Sequence, residues 1–289
     1  MFRLSICIAA FGASLAVAQP LARIDPEQAG FSADGLARID RFFSREVESN
    51  RVPGAVVAIA RDGKLVYFKA HGFRDKAAAA PMPLDAVFQL ASMSKIMTSV
   101  AGLVLSEAGQ LPLKSPLHDY FAGFAKMNVG VVGPTGEITL QPARPIFIHD
   151  LFRHTSGITY GARGTTPVHK LYPGSSIGAA VQYTPREFID KLAGLPLLVQ
   201  PGTVWDYSLS TDVLGLVIEK VSGKRLSEHL KETVWDKVGM PDTTFEPSPA
   251  QRERLARPLP LDPITGKPQR ILSLDTQPKF DCGGACAFG

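Results

Sequence analysis

Apolar residues recur with two different periods along the chain. Leu36, Ile39, Phe42, Phe43 and Val47 are spaced as on one face of a helix, and Ser32 stands where an N-cap is wanted, so a helix is predicted from Ser32 to about Asn50. Pro53-Gly54 ends that pattern. Two short apolar runs follow, 55–60 and 65–70, separated by Asp62-Gly63, a two-residue turn signal that predicts an antiparallel hairpin. After an Ala- and Pro-rich loop, a helix is predicted from about Ser92 to Ala108, with Gly109 at its C-terminal stop. Residues 110–180 show little periodicity. Short helices are expected at Ile148–His154 and Pro185–Leu192. Val213, Leu214, Val217, Ile218 and Val221 line one face of a further helix that Gly223 stops, and Leu226–Trp235 predicts another. Only two strong strands emerge, and a lone ribbon is marginal in water, so the rest of a sheet is expected beyond Gly289.

Composition narrows the class. Of 289 residues, 45% are hydrophobic and 20% charged, which is globular rather than disordered. The net charge of +4 is spread without Lys/Arg runs, which argues against nucleic-acid partners. Arg3, an apolar stretch from Leu4 and Ala16-Val17-Ala18 predict a secretory signal peptide cut after Ala18, leaving 19–289 as one domain without a stable membrane span. A periplasmic or secreted location follows. Cys7 leaves with the signal, and Cys282 and Cys286 could pair in an oxidising compartment. No histidines have metal-ligand spacing and no Gly-rich phosphate loop follows a strand, so neither metal nor cofactor is expected.

The chemistry concentrates at Ser92-Met93-Ser94-Lys95. A serine hydroxyl is a weak nucleophile that needs a base, and Lys95, three residues on, shares its helix face one turn later. A lysine serves only if its amine is neutral part of the time, which burial or a nearby cation arranges. Alone, the pattern is more often an N-cap serine and an exposed lysine. A rival is Ser176 in Gly174-Ser-Ser-Ile-Gly178, the nucleophile-elbow pattern of α/β-hydrolases. That elbow needs a strand before it and a helix after it. Pro173 precedes it and no βα alternation surrounds it, so a flexible loop is expected there.

Phe88-Gln-Leu-Ala-Ser-Met-Ser-Lys95 resembles the active-site segment of the serine β-lactamase and penicillin-binding protein superfamily, closest to class C β-lactamases and family VIII carboxylesterases. The likeness extends through His154-Thr-Ser-Gly157, Pro201-Gly-Thr-Val-Trp-Asp-Tyr-Ser208 and Val238-Gly-Met-Pro-Asp-Thr-Thr-Phe245. It implies an α/β fold, with an antiparallel sheet flanked by helices and a mostly helical lobe. It also implies catalysis by Ser92, Lys95 and Tyr207 without a cofactor, on a small ester, amide or β-lactam. His154 is expected to pin its turn near the site. Class C enzymes carry Asn where this chain has Leu209, which tilts the expectation toward an esterase, ahead of a β-lactamase and a D-alanyl-D-alanine peptidase. A third family motif, a Lys- or His-bearing strand ending in Gly, is not found, so the resemblance implies a chain lacking its C-terminal portion. That gap also leaves room for a non-catalytic ligand-binding fragment.

Overall fold

The described residues form two groups of elements: a small sheet with a helix across it, and a larger helical lobe. A computed structural model describes residues 21–269 and 276–289; the expected signal segment, 1–18, lies outside the described residues.

Helix α1 (Ala33–Glu48) starts as expected, with the Ser32 hydroxyl accepting the Gly35 N–H at 3.1 Å. Strand β1 (Gly54–Arg61) pairs antiparallel with β2 (Lys64–Asp75), and Arg61 faces Lys64 across the turn. Asp62 and Gly63 both have positive φ, 49° and 70°, the geometry that makes this dipeptide a hairpin signal. A two-residue strand β3 (Ala80–Pro81) extends the sheet on the β2 side. α1 lies against β2: Asp40 accepts the Tyr67 hydroxyl at 2.6 Å and the Lys69 ammonium at 2.8 Å, and Phe43 stacks on His71.

The helical lobe is organised by α2 (Ser94–Glu107) and α6 (Ser210–Ser222). Met97, Ala101 and Leu105, spaced by four, form the buried stripe of α2. Gly102 lets this helix approach α3 (Ile148–Phe152) closely, since a Cβ there would lie 2.8 Å from the Phe152 ring. Every residue from Ser210 to Ile218 is buried, so α6 is the axis of the core. The expected stops hold: Gly109 and Gly223 have φ of 74° and 70°. α4 (Ser176–Gln182) is followed by α5 (Pro185–Ala193), opened by a reciprocal Thr184–Glu187 capping box with Pro185 at its first position.

Three expectations need correction. The 110–180 stretch contains a second antiparallel ribbon, β4 (Asn128–Val132) with β5 (Ile138–Pro142). Its strands have five residues each, one interrupted by Gly130 and the other ending in proline, so they carry no usable alternation. The helix predicted over 226–235 is α-helical only over α7 (Leu226–Leu230); it widens into a π-type turn, Lys231–Trp235, where the Thr233 hydroxyl donates to the His229 carbonyl. The 174–178 segment is not a flexible loop. Ser176 is the first residue of α4 and is buried, while Ser175 caps the helix through the Gly178 N–H at 3.0 Å.

Candidate active site

The chain enters α2 through a tight turn at Ala91–Met93. Ala91 has φ 46°, a left-handed conformation that costs energy for a residue with a Cβ and that collects at functional sites. The turn leaves Ser92 exposed while Ser94 is buried. The Ser94 hydroxyl donates to the Ala91 carbonyl at 2.7 Å and accepts the Ala287 N–H at 3.1 Å, fixing the turn from beneath.

Ser92, Lys95 and Tyr207 come together. The Tyr207 hydroxyl bonds the Ser92 hydroxyl at 2.6 Å, and the Lys95 ammonium lies 4.4 Å from the Tyr207 ring centre. Lys95 also donates to the Gly284 carbonyl at 2.7 Å. Tyr207 reaches this position because its loop is sewn to the His154 turn. The Asp206 N–H donates to the His154 carbonyl at 2.9 Å, the Gly202 N–H to the Thr155 carbonyl at 2.6 Å, and Ser156 bonds Ser210 at 2.8 Å. Asp150, buried and bonded to Thr155, Arg144 and Arg153, anchors the far side of the turn. The two segments are 54 residues apart in sequence and form one platform.

His154 itself lies against Tyr207, with ring centres 4.9 Å apart. Its Nδ1 accepts the Ser208 N–H at 3.2 Å, which fixes that nitrogen as unprotonated. Burial, helped by the positive charges of Lys95 and Arg163 and opposed by Asp206, pushes the imidazole down to about 4. The folded protein therefore keeps His154 neutral where an unfolded chain, near 6.5, would protonate it. Stability from this source is complete above about pH 6.5 and is lost as the pH falls toward 4. In His154→Asn, chosen because Asn tolerates a positive φ, lowering the pH from 7 to 5 should change stability about 1–2 kcal/mol more favourably than in wild type. Urea melts at the two pH values measure it; an unchanged difference would show that His154 is already protonated in the fold.

Ser176 does not stand apart from this cluster. Its hydroxyl donates to Asp212 at 2.6 Å and bonds the Tyr160 hydroxyl at 2.6 Å. Asp212 also accepts the Gly284 N–H at 2.9 Å. Burial pushes the Asp212 carboxyl up to about 6, against the opposing pull of the Ser176 hydroxyl, the Lys95 charge and the Gly284 N–H. Burial raises the Tyr160 phenol strongly as well, and the Asp212 charge adds to that shift. Ser176 thus has an acidic partner and a phenol, with no imidazole or amine bonded to it. A shallow cleft of about 240 Å³ is lined by Ser92, Tyr160, Arg163, Ser176, Tyr207 and Ala285, so both serines border it. Tyr160, Asp212 and Gly284 are site residues that motif reading did not find. The available signal was Asp212, a lone carboxylate inside the otherwise uncharged run Ser210–Ile218. Among the described residues, no three His, Cys, Asp or Glu side chains form a group able to hold a metal ion, and no helix is long and apolar enough to cross a membrane.

An exposed serine at a helix-start turn, a lysine one turn on and a tyrosine from a distant loop thus meet on a mixed α/β scaffold. Residues 39–270 match the Beta-lactamase family, and the chain belongs to it. It is 33% identical over 240 residues to esterase EstB of Burkholderia gladioli, covering 82% of this chain and 58% of that protein. A lovastatin esterase from Penicillium rubens is 32% identical, over 78% of this chain and 57% of its own. Among solved structures, simvastatin synthase (LovD) from Aspergillus terreus superposes with a TM-score of 0.73 at 26% identity, covering 89% of this chain and 65% of that one. A class C β-lactamase from Rhodobacter sphaeroides, at 21% identity and a TM-score of 0.59 over 86% of this chain and 60% of its own, shares the fold. The expected α/β architecture and superfamily are thereby established. The chain spans about half the length of the curated relatives it matches.

Proposed function

We propose that the protein is a serine hydrolase that forms an acyl-enzyme on Ser92 and acts chiefly as a carboxylesterase. The observation that carries this reading is the 2.6 Å bond between Tyr207 and Ser92 with the Lys95 amine beside the tyrosine ring. In acylation, the Tyr207 proton passes to the neutral Lys95 amine, and the phenolate accepts the Ser92 proton as Oγ attacks the ester carbonyl. The Ser92 N–H, at the helix-start turn, donates to the developing oxyanion. Collapse expels the alkoxide, which takes a proton from Tyr207. Water then attacks the acyl-enzyme by the same route in reverse, releasing the acid and restoring Ser92.

Leu209 favours an ester over a β-lactam: it is fully buried, and its side chain offers no polar group where class C enzymes carry Asn. The names of the two esterase relatives point the same way. An exported location belongs to the same proposal, because the Cys282–Cys286 disulfide suits an oxidising compartment. In the full-length protein, turnover of short-chain p-nitrophenyl esters should exceed ring opening of a cephalosporin by about 10²-fold or more in kcat/KM, a difference of about 2.7 kcal/mol in transition-state stabilisation. Faster ring opening than ester hydrolysis would make it a β-lactamase instead.

A further inference from the structure

The segment Asp-Cys-Gly-Gly-Ala-Cys carries no reactive side chain in the mechanism above, yet it touches the mechanism at its centre. Cys282 and Cys286 are bonded, and both are buried. Between them, the Gly284 carbonyl accepts from Lys95 at 2.7 Å while the Gly284 N–H donates to Asp212 at 2.9 Å. The Gly283 carbonyl accepts the Thr98 hydroxyl at 2.9 Å, one turn along α2 from Lys95. Neither glycine has room for a side chain: a Cβ on Gly283 would sit 2.9 Å from Thr98, and one on Gly284 would sit 2.6 Å from both Asp212 and Ser176.

We propose that this disulfide-closed loop is the positioning element of the Lys95 amine, with Gly284 as its contact point and the crosslink and Thr98 as its tethers; the inference rests on the catalytic role proposed for Ser92 and Lys95. A lysine side chain has four rotatable bonds, so the amine needs an external fix. Donation of one N–H to the Gly284 carbonyl sets rotation about the Cε–Nζ bond and leaves the remaining positions for proton exchange with Tyr207. Two adjacent glycines would make a poor anchor on their own, because they have the widest backbone freedom of any residue. Closing the ring at Cys282–Cys286 removes much of that freedom, and the Thr98 bond ties the ring to the helix that carries the lysine.

The test uses the full-length protein with Cys282→Ser/Cys286→Ser and, separately, Thr98→Val. Each is assayed by ester turnover across pH and by the rate of Ser92 labelling with a fluorophosphonate, located by mass spectrometry. Both variants should lose about tenfold in kcat with KM within about twofold, since small misplacements of a catalytic group act on the chemical step. The pH–rate profile should change as well, because Lys95 would exchange its proton with Tyr207 from a less defined position once its bond to the Gly284 carbonyl loosens. If the cysteine-free variant loses its cooperative melt, Thr98→Val carries the same expectation. Wild-type labelling at Ser92 with unchanged kcat and pH profile in the folded variants overturns the positioning role alone. Absence of label on Ser92 in the wild type overturns the proposed mechanism, and the positioning role with it.

Discussion

Replacing Ser92 by Ala should abolish covalent labelling by a fluorophosphonate ester mimic, whereas Ser176→Ala should leave the label in place on Ser92. Both serines border one cleft, so proximity to substrate does not separate them. Their partners do. Ser92 is exposed, bonded to Tyr207 and one turn from Lys95, a route by which its proton can leave. Ser176 is buried, and its hydroxyl is committed as a donor to Asp212 and as a partner of Tyr160. A phenol that burial has pushed far up is a poor proton acceptor. Label recovered on a peptide containing Ser176, with none on Ser92, would reverse the assignment.

Tyr207→Phe should lower kcat for ester hydrolysis by about 10²–10⁴-fold, the usual contribution of a general acid–base group, equivalent to about 2.7–5.4 kcal/mol. The substitution keeps the ring that packs on His154 and faces Lys95, and removes only the hydroxyl bonded to Ser92. Loss of packing therefore does not account for the deficit. Lys95→Ala should be at least as damaging, because it removes the proton acceptor and the local positive charge in one step. Stopped-flow acylation separates this effect from deacylation. A loss below about tenfold would reduce Tyr207 to a packing residue.

Tyr207 was legible only through the likeness of its segment to the family's motif. Ser92 and Lys95 also carry a local signature, a shared helix face. Ser32, Gly109 and Gly223 were readable for the same reason, since caps and stops are local chemistry. What escaped is set by contacts between distant segments. The role of Asp212 depends on Gly284, 72 residues later, and on Ser176, 36 residues earlier. Ser176 looked like loop because Pro173 and Gly174 precede it, but the pull of Asp212 and Tyr160 buries it. The ribbon of β4 and β5 was hidden by its brevity. Its extra tie, the Gly130 N–H to the Leu197 carbonyl at 2.9 Å, joins residues far apart in sequence.

The opposite displacements of His154 and Asp212 give acid two separate targets. A carboxyl near 6 in the fold, against 3.8 in its absence, takes up its proton in the folded state first, so acidification from about pH 6 favours the folded chain through Asp212. His154 works in the reverse sense from about pH 6.5 down to 4. Over much of the same interval the two offset each other, and the scaffold changes little in stability. The charge beside Lys95 does change, because Asp212 gives up its negative charge while His154 stays neutral. Mild acid should therefore change the charge of the centre without dismantling the fold, and returning to neutral pH should restore that charge without a refolding lag.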